Sequence, residues 1–406
     1  MVSVLTRIFG AHNLALAEDV VQDAFCRAVE TWPIRGVPEN PAAWLMATAK
    51  NRALDVLRRE RTARRFAPEL GKWLESEGTL TLILDDLFST DAIKDDELRM
   101  MFSCCHPRLP EETQVALMLH ILCGFGVNEI AHAFVSSFDA IKKRLTRSKK
   151  VFEKSTTLFN VADSHEFSTR LPAVQRALYL LFNEGYHGAS AEHAIRTELC
   201  HEAMRLSALL LEHPSGAVPA TYALSALMCL DAARLPARMD AGGHLHSLLE
   251  QNRSRWDHQL IDEGLRFLAL SATGADLTEY HLEAAIAAVH ARATRTEDTD
   301  WNSIVRFYDK LTTMRPSPIV ALNRAIAVAQ DQGPDRGIEA INAITDSDRL
   351  ARYPFYAAAL GELELRRGRR EVAAQHFRAA QSLARNRVEG QFFYQRILAC
   401  VSQTVE

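Results

Sequence analysis

Apolar residues recur at spacings of three and four along almost the whole chain, and strict alternation is nearly absent; this predicts an all-α protein. In the first such stretch Val20, Val21, Ala24, Ala28 and Val29 fall on the inner side of a helix from about Glu18 to Trp32. Pro33–Asn40 reads as a loop. Asn40 then Pro41 is a start signal: a side-chain acceptor for the first free N–H groups, then a residue with no N–H to leave unpaired. The helix that follows turns Trp44, Leu45, Ala49, Ala53 and Leu57 inward and ends in a basic run. Farther on, Pro110 opens a helix carrying Val115, Leu119 and Leu122, Gly124 and Gly126 break it, and a short helix spans Val127–Phe134. Ser136 at a cap, with Asp139 three residues on, starts a longer basic helix, Ser137–Phe152. Helix, glycine break, short helix, tight turn and basic helix is the order of a helix-turn-helix.

From about Glu166 to Glu406 the pattern stays helical, and near the end it repeats. Leu360, Gly361, Ala373, Phe377 and Ala380 take the small and large positions of a tetratricopeptide repeat, whose period is about 34 residues. Small residues let two helices approach, and the phenylalanine fills the space between them. Leu322, Asn323, Gly337 and Ile341 form a weaker copy, and Leu199–Pro214 a poorer third.

Composition narrows the classes. The 406 residues, 48% hydrophobic, allow two or three domains with real cores. Val115–Val127 is the longest apolar stretch and His120 interrupts it, so no membrane span of about 18 apolar residues is expected. Met1–Gly10 lacks the apolar core of a signal peptide. Seven irregularly spaced cysteines suggest a reducing cytoplasm. The net charge of −4 conceals patches. Lys50–Arg65 and Ser137–Lys154 are strongly basic, and the segment between them is acidic. Two basic segments on either side of an acidic linker suggest two phosphate-facing surfaces. Charge alone does not separate these from two solvated helix faces.

Little suggests catalysis. Cys104-Cys105-His106 has no second Cys/His pair at ligand spacing and reads as structural, so no metal is expected. His187, His193, His201 and His213 fit no zinc pattern. There is no P-loop, dinucleotide fingerprint or nucleophile elbow, so no enzyme and no cofactor are expected. Phe182–His187, with its mix of polar and aromatic residues, reads as a helix end packing on its neighbour. Trp256 within Arg253–Asp257 and Trp301 within Asp298–Asn302 read as core anchors.

Several stretches carry a resemblance. Ala17-Glu18-Asp19-Val20-Val21-Gln22-Asp23-Ala24-Phe25, Asn40-Pro41-Ala42-Ala43-Trp44-Leu45 and Ala49-Lys50-Asn51-Arg52-Ala53-Leu54-Asp55 with Leu57-Arg58-Arg59 resemble region 2 of the extracytoplasmic-function (ECF) sigma factors. Glu129-Ile130-Ala131 through Ile141-Lys142-Lys143-Arg144-Leu145 resembles their region 4. Leu181–Tyr186, Arg253–Asp257, Asp298–Trp301, Ala321–Ala325 and Cys104–Pro107 are similar to the subgroup with a long tetratricopeptide-like extension.

The resemblance implies four segments: region 2 over 1–66, an acidic linker over 67–96, region 4 over 97–154 and a tetratricopeptide-like tail over 166–406. Only Met1–Leu16 precede the Ala-Glu-Asp motif, so the first helix of region 2 is expected to be short. The implied partners are RNA polymerase core and promoter DNA. Asp19, Gln22, Asp23 and Phe25 would face polymerase. Arg35, Asn40, Asn51, Arg52, Arg58 and Arg59 would bind the −10 element. Lys142, Lys143, Arg144, Arg147 and Lys150 would bind the −35 element. The tail would regulate in cis and offer a concave surface to a protein or peptide. Two alternatives stay open: a helix-turn-helix regulator acting without polymerase core, and a helical-repeat scaffold.

Overall fold

The computed structural model describes residues 1–9, 13–61, 90–106, 109–133, 136–153, 164–187, 195–240, 242–274 and 276–401. Most of the acidic linker, His193, Lys154 and residues 161–163 lie outside the described residues. The fold is all-helical; among the described residues the sole β feature is an isolated bridge between Met239 and Leu245. The chain forms two compact units, Met1–Ala177 and Leu178–Glu406.

The first unit begins with α1 (Val2–Phe9), α2 (Leu14–Arg35) and α3 (Pro41–Arg61). Val4, Leu5 and Phe9 of α1 are fully buried against Ala17, Val20 and Ala24 of α2 and Ala49, Ala53 and Leu54 of α3. The short first helix therefore supplies the largest side chains of this core, while alanines let α2 and α3 approach closely. Asn40 caps α3 as expected, its Oδ1 accepting the Ala43 N–H at 3.0 Å. Two expectations change. Val29 is 73% exposed, not inward. Helix α2 also runs past Trp32, with Pro33 inside its last turn. A proline there leaves the Val29 carbonyl without its helical donor, and the exposure of Val29 lets water take that place. The helix stops at Gly36, whose φ of 83° places it in the left-handed region and whose N–H bonds the Trp32 carbonyl at 2.9 Å.

Helices α4 (Thr90–Cys104), α5 (Glu111–Ile121), α6 (Val127–Ala133) and α7 (Phe138–Glu153) follow. Ile130, Ala131, Ile141 and Leu145 are buried where α6 and α7 meet. The cap of α7 is Ser137, one residue later than expected: its Oγ accepts the Ala140 N–H at 3.2 Å. Either serine precedes an acidic or small residue in sequence, and only the backbone path selects which hydroxyl reaches the free N–H. Cys104 and Cys105 are buried, and burial pushes both thiols well above their ordinary range. The first half of α8 (Ser164–His187) packs on this unit. Its Phe167 ring lies 4.0 Å from that of Phe102, and Arg176 bonds Glu111 at 2.7 Å.

The second unit continues through α9 (Thr197–Glu212), α10 (Pro219–Ala232), α11 (Leu235–Arg238), α12 (His258–Ser271), α13 (Glu279–Arg292) and α14 (Trp301–Met314). Two helix pairs close it, α15 (Pro318–Gln332) with α16 (Pro334–Asn342), and α17 (Pro354–Arg366) with α18 (Arg370–Ser382), before α19 (Arg387–Val401). A Cβ on Gly361 would lie 3.0 Å from the Phe377 ring, and one on Gly337 only 2.3 Å from the Ala329 Cβ. These glycines set how closely the paired helices approach.

Candidate nucleic-acid interface

Where α2 ends and α3 begins, Trp32 and Trp44 meet edge to face, ring centres 5.6 Å apart. They wall a cavity of about 370 Å³ whose other sides include Arg27, Arg35, Gly36 and Thr48. The Trp32 indole N–H is buried there with no acceptor among the described residues. Trp44, which the pattern turns into the core, is only half-buried and lines this cavity. Trp32, Trp44, Arg27 and Thr48 were not among the expected site residues. Their convergence depends on how Gly36 and Pro38 fold the loop back, which periodicity does not encode.

The expected −10 residues do not all behave alike. Arg35 is exposed at the cavity and Asn51 and Arg59 are exposed on α3. Asn40 uses its carboxamide oxygen as a helix cap. Arg52 donates from Nε to Asp23 at 2.7 Å, so a residue expected to face DNA holds one expected to face polymerase. The Arg58 side chain lies outside the described residues. On α2, Asp19, Gln22 and Phe25 lie on one exposed side at intervals of three, and Phe25 is 50% exposed.

The helix-turn-helix sorts its cations similarly. Lys142, Lys143, Arg147 and Lys150 share the exposed side of α7. Arg144 instead reaches Glu112 of α5 at 2.8 Å, which fixes α7 on its support. Lys149 turns toward α2, where its ammonium meets Glu18 at 2.6 Å and the His120 Nε2 at 3.4 Å.

Comparison with known proteins fits this geometry. Residues 1–63 match sigma-70 region 2, and residues 170–272 match a family of unknown function, DUF6596. An uncharacterized protein of Rhizobium meliloti is 37% identical over 383 residues, covering 94% of this chain and 89% of its own. The chain belongs to one family with that protein. The region 2 match supports a sigma factor role in transcription initiation. A probable ECF RNA polymerase sigma factor, SigI of Mycobacterium tuberculosis, is 23% identical over 172 residues, 42% of this chain and 57% of that protein. The tail match spans two of the stretches singled out by sequence, Phe182–His187 and Arg253–Asp257.

Proposed function

We propose that this sigma factor binds RNA polymerase core and recognises promoters of the ECF type, with α2 and α3 opening the −10 element and α7 reading the −35 element. The observation that carries the reading is the tryptophan-walled cavity beside Arg35. Strand opening requires a place for an unstacked base and cations for its phosphates. Two indole rings offer the first; Arg27, Arg35 and Arg59 offer the second. Asp19, Gln22 and Phe25 form the polymerase-facing side of α2, with the half-exposed aromatic as its anchor. Lys142, Lys143 and Arg147 read base edges while Lys150 holds phosphate.

Gel shift on a duplex carrying both promoter elements, with and without polymerase core, tests this. Tight binding should need core. Binding by the protein alone would make it a regulator, and no binding in either case a scaffold. In the same assay Arg147→Ala should cost about 1–3 kcal/mol at one base position, whereas Lys150→Ala should weaken every sequence alike and reduce the salt dependence. A uniform loss from Arg147→Ala would leave base reading to other residues.

The tail is a tetratricopeptide-like extension acting in cis as a positive requirement, since the region 2 core is small and small cores are marginal. Truncation after His187 retains the Phe167 and Arg176 contacts of the first unit. It should abolish promoter-specific transcription; full activity at equal protein level would leave the tail without a regulatory part.

A further inference from the structure

Phe138 opens α7 and is 43% exposed. Among the described residues of that helix it is the sole large apolar side chain on the open side. Ile141, Leu145 and Ser148 take the buried side, while Phe138, Lys142 and Thr146 form an exposed row at intervals of four. The Lys142 ammonium lies 5.7 Å from the centre of the Phe138 ring, a separation at which cation and ring attract. The preceding residue, Ser137, caps the helix through the Ala140 N–H at 3.2 Å, so the backbone is fixed where the ring leaves it. An apolar ring thus stands at the leading end of a basic face, a place that phosphate binding alone does not require.

A helix that enters the major groove meets base edges with its N-terminal residues. Every base edge there offers hydrogen-bond donors or acceptors, and thymine alone adds a methyl group, at C5. A phenyl ring can cover that methyl and exclude water from it. Set against the edge of guanine, adenine or cytosine, the same ring would strip water from polar atoms and return no hydrogen bond. Phe138 therefore favours thymine both by what it covers and by what it leaves unpaired elsewhere. Four residues advance the helix by about 6 Å, or about two base steps, so ring and ammonium address neighbouring base pairs.

We propose that Phe138 is a specificity-determining residue that reads the methyl group of one thymine in the −35 element. The inference rests on the assignment of α7 to that element and adds to it a contact that carries no charge.

The holoenzyme, assembled from the full chain and polymerase core, first selects its duplex from a pool randomised over the −35 segment. Each thymine of the selected segment, on either strand, is then replaced singly by deoxyuridine, which removes the methyl and keeps every hydrogen-bonding group. Gel-shift competition should show about a fourfold loss of affinity at one position, the value of burying one methyl-sized group. Phe138→Ala should bind the selected duplex about fourfold more weakly and should no longer distinguish thymine from deoxyuridine at that position. Phe138→Leu keeps an apolar side chain and should retain part of the distinction. Both variants should melt with the parent, because the ring is half-exposed. The inference is overturned if no thymine methyl matters, or if Phe138→Ala weakens every duplex alike and keeps the deoxyuridine penalty. Either result leaves the −35 reading standing, since the selection itself displays a preference. A pool that yields no preferred −35 segment overturns that reading, and this inference with it.

Discussion

Replacing Arg253 with alanine should destabilise the second unit by about 2–5 kcal/mol, read by chemical denaturation. This arginine is only 8% exposed. Its Nη1 donates to the carbonyls of His290 at 2.8 Å and Ala293 at 2.7 Å, and its Nη2 to the Thr299 Oγ1 at 3.0 Å. The two carbonyls belong to the end of α13, where helical donors run out and negative partial charge collects. The guanidinium thus serves as a cap delivered from a distant loop, and the Trp256 ring, 5.0 Å away, covers it. Alanine would strand two carbonyls away from water, each costing about 1–3 kcal/mol. Lysine should recover only part, because one ammonium lacks the planar fork that meets three acceptors at once. A loss below about 1 kcal/mol would mean that water replaces the guanidinium freely.

Trp44→Ala should impair promoter opening about 5- to 150-fold while leaving closed-complex binding nearly unchanged. The figure is the loss of one base–aromatic stack, about 1–3 kcal/mol. Fluorescence of 2-aminopurine placed in the −10 element, compared with gel shift, separates the two steps. Trp44→Phe keeps a ring and should restore part of the opening. Equal loss of both steps from Trp44→Ala would assign the residue to folding of the α2–α3 pair, since it also packs against Trp32.

How much of this was legible follows from the range of each interaction. Helix content, the Asn40–Pro41 cap and the helix-turn-helix order depend on residues within a few positions, and the chain states them locally. The close pairing of Gly361 with Phe377 was also readable, because the two helices are neighbours in sequence. Trp44 was misread as core since helical spacing gives a direction but not what lies there; the cavity exists only after the loop at Gly36 folds back. The stretch Arg253–Asp257 stood out in the sequence, but nothing local gave the capping role of Arg253. Its acceptors at His290, Ala293 and Thr299 are 37, 40 and 46 residues away.

The bond between Arg52 and Asp23 has a thermodynamic consequence. Each group is partly exposed, with 30% and 48% of its side chain open to solvent, so an outside charge can compete for either one. A cation arriving at Asp23 frees the guanidinium to meet a phosphate, and a phosphate arriving at Arg52 frees the carboxylate. Two ligands that draw on opposite ends of one ion pair assist one another, and reciprocity makes the gain in affinity the same whichever binds first. Exposed pairs hold only about 0–1 kcal/mol, so this coupling is confined to a few-fold. It would make the α2–α3 module a weak molecular AND gate, favouring a state in which both partners are engaged.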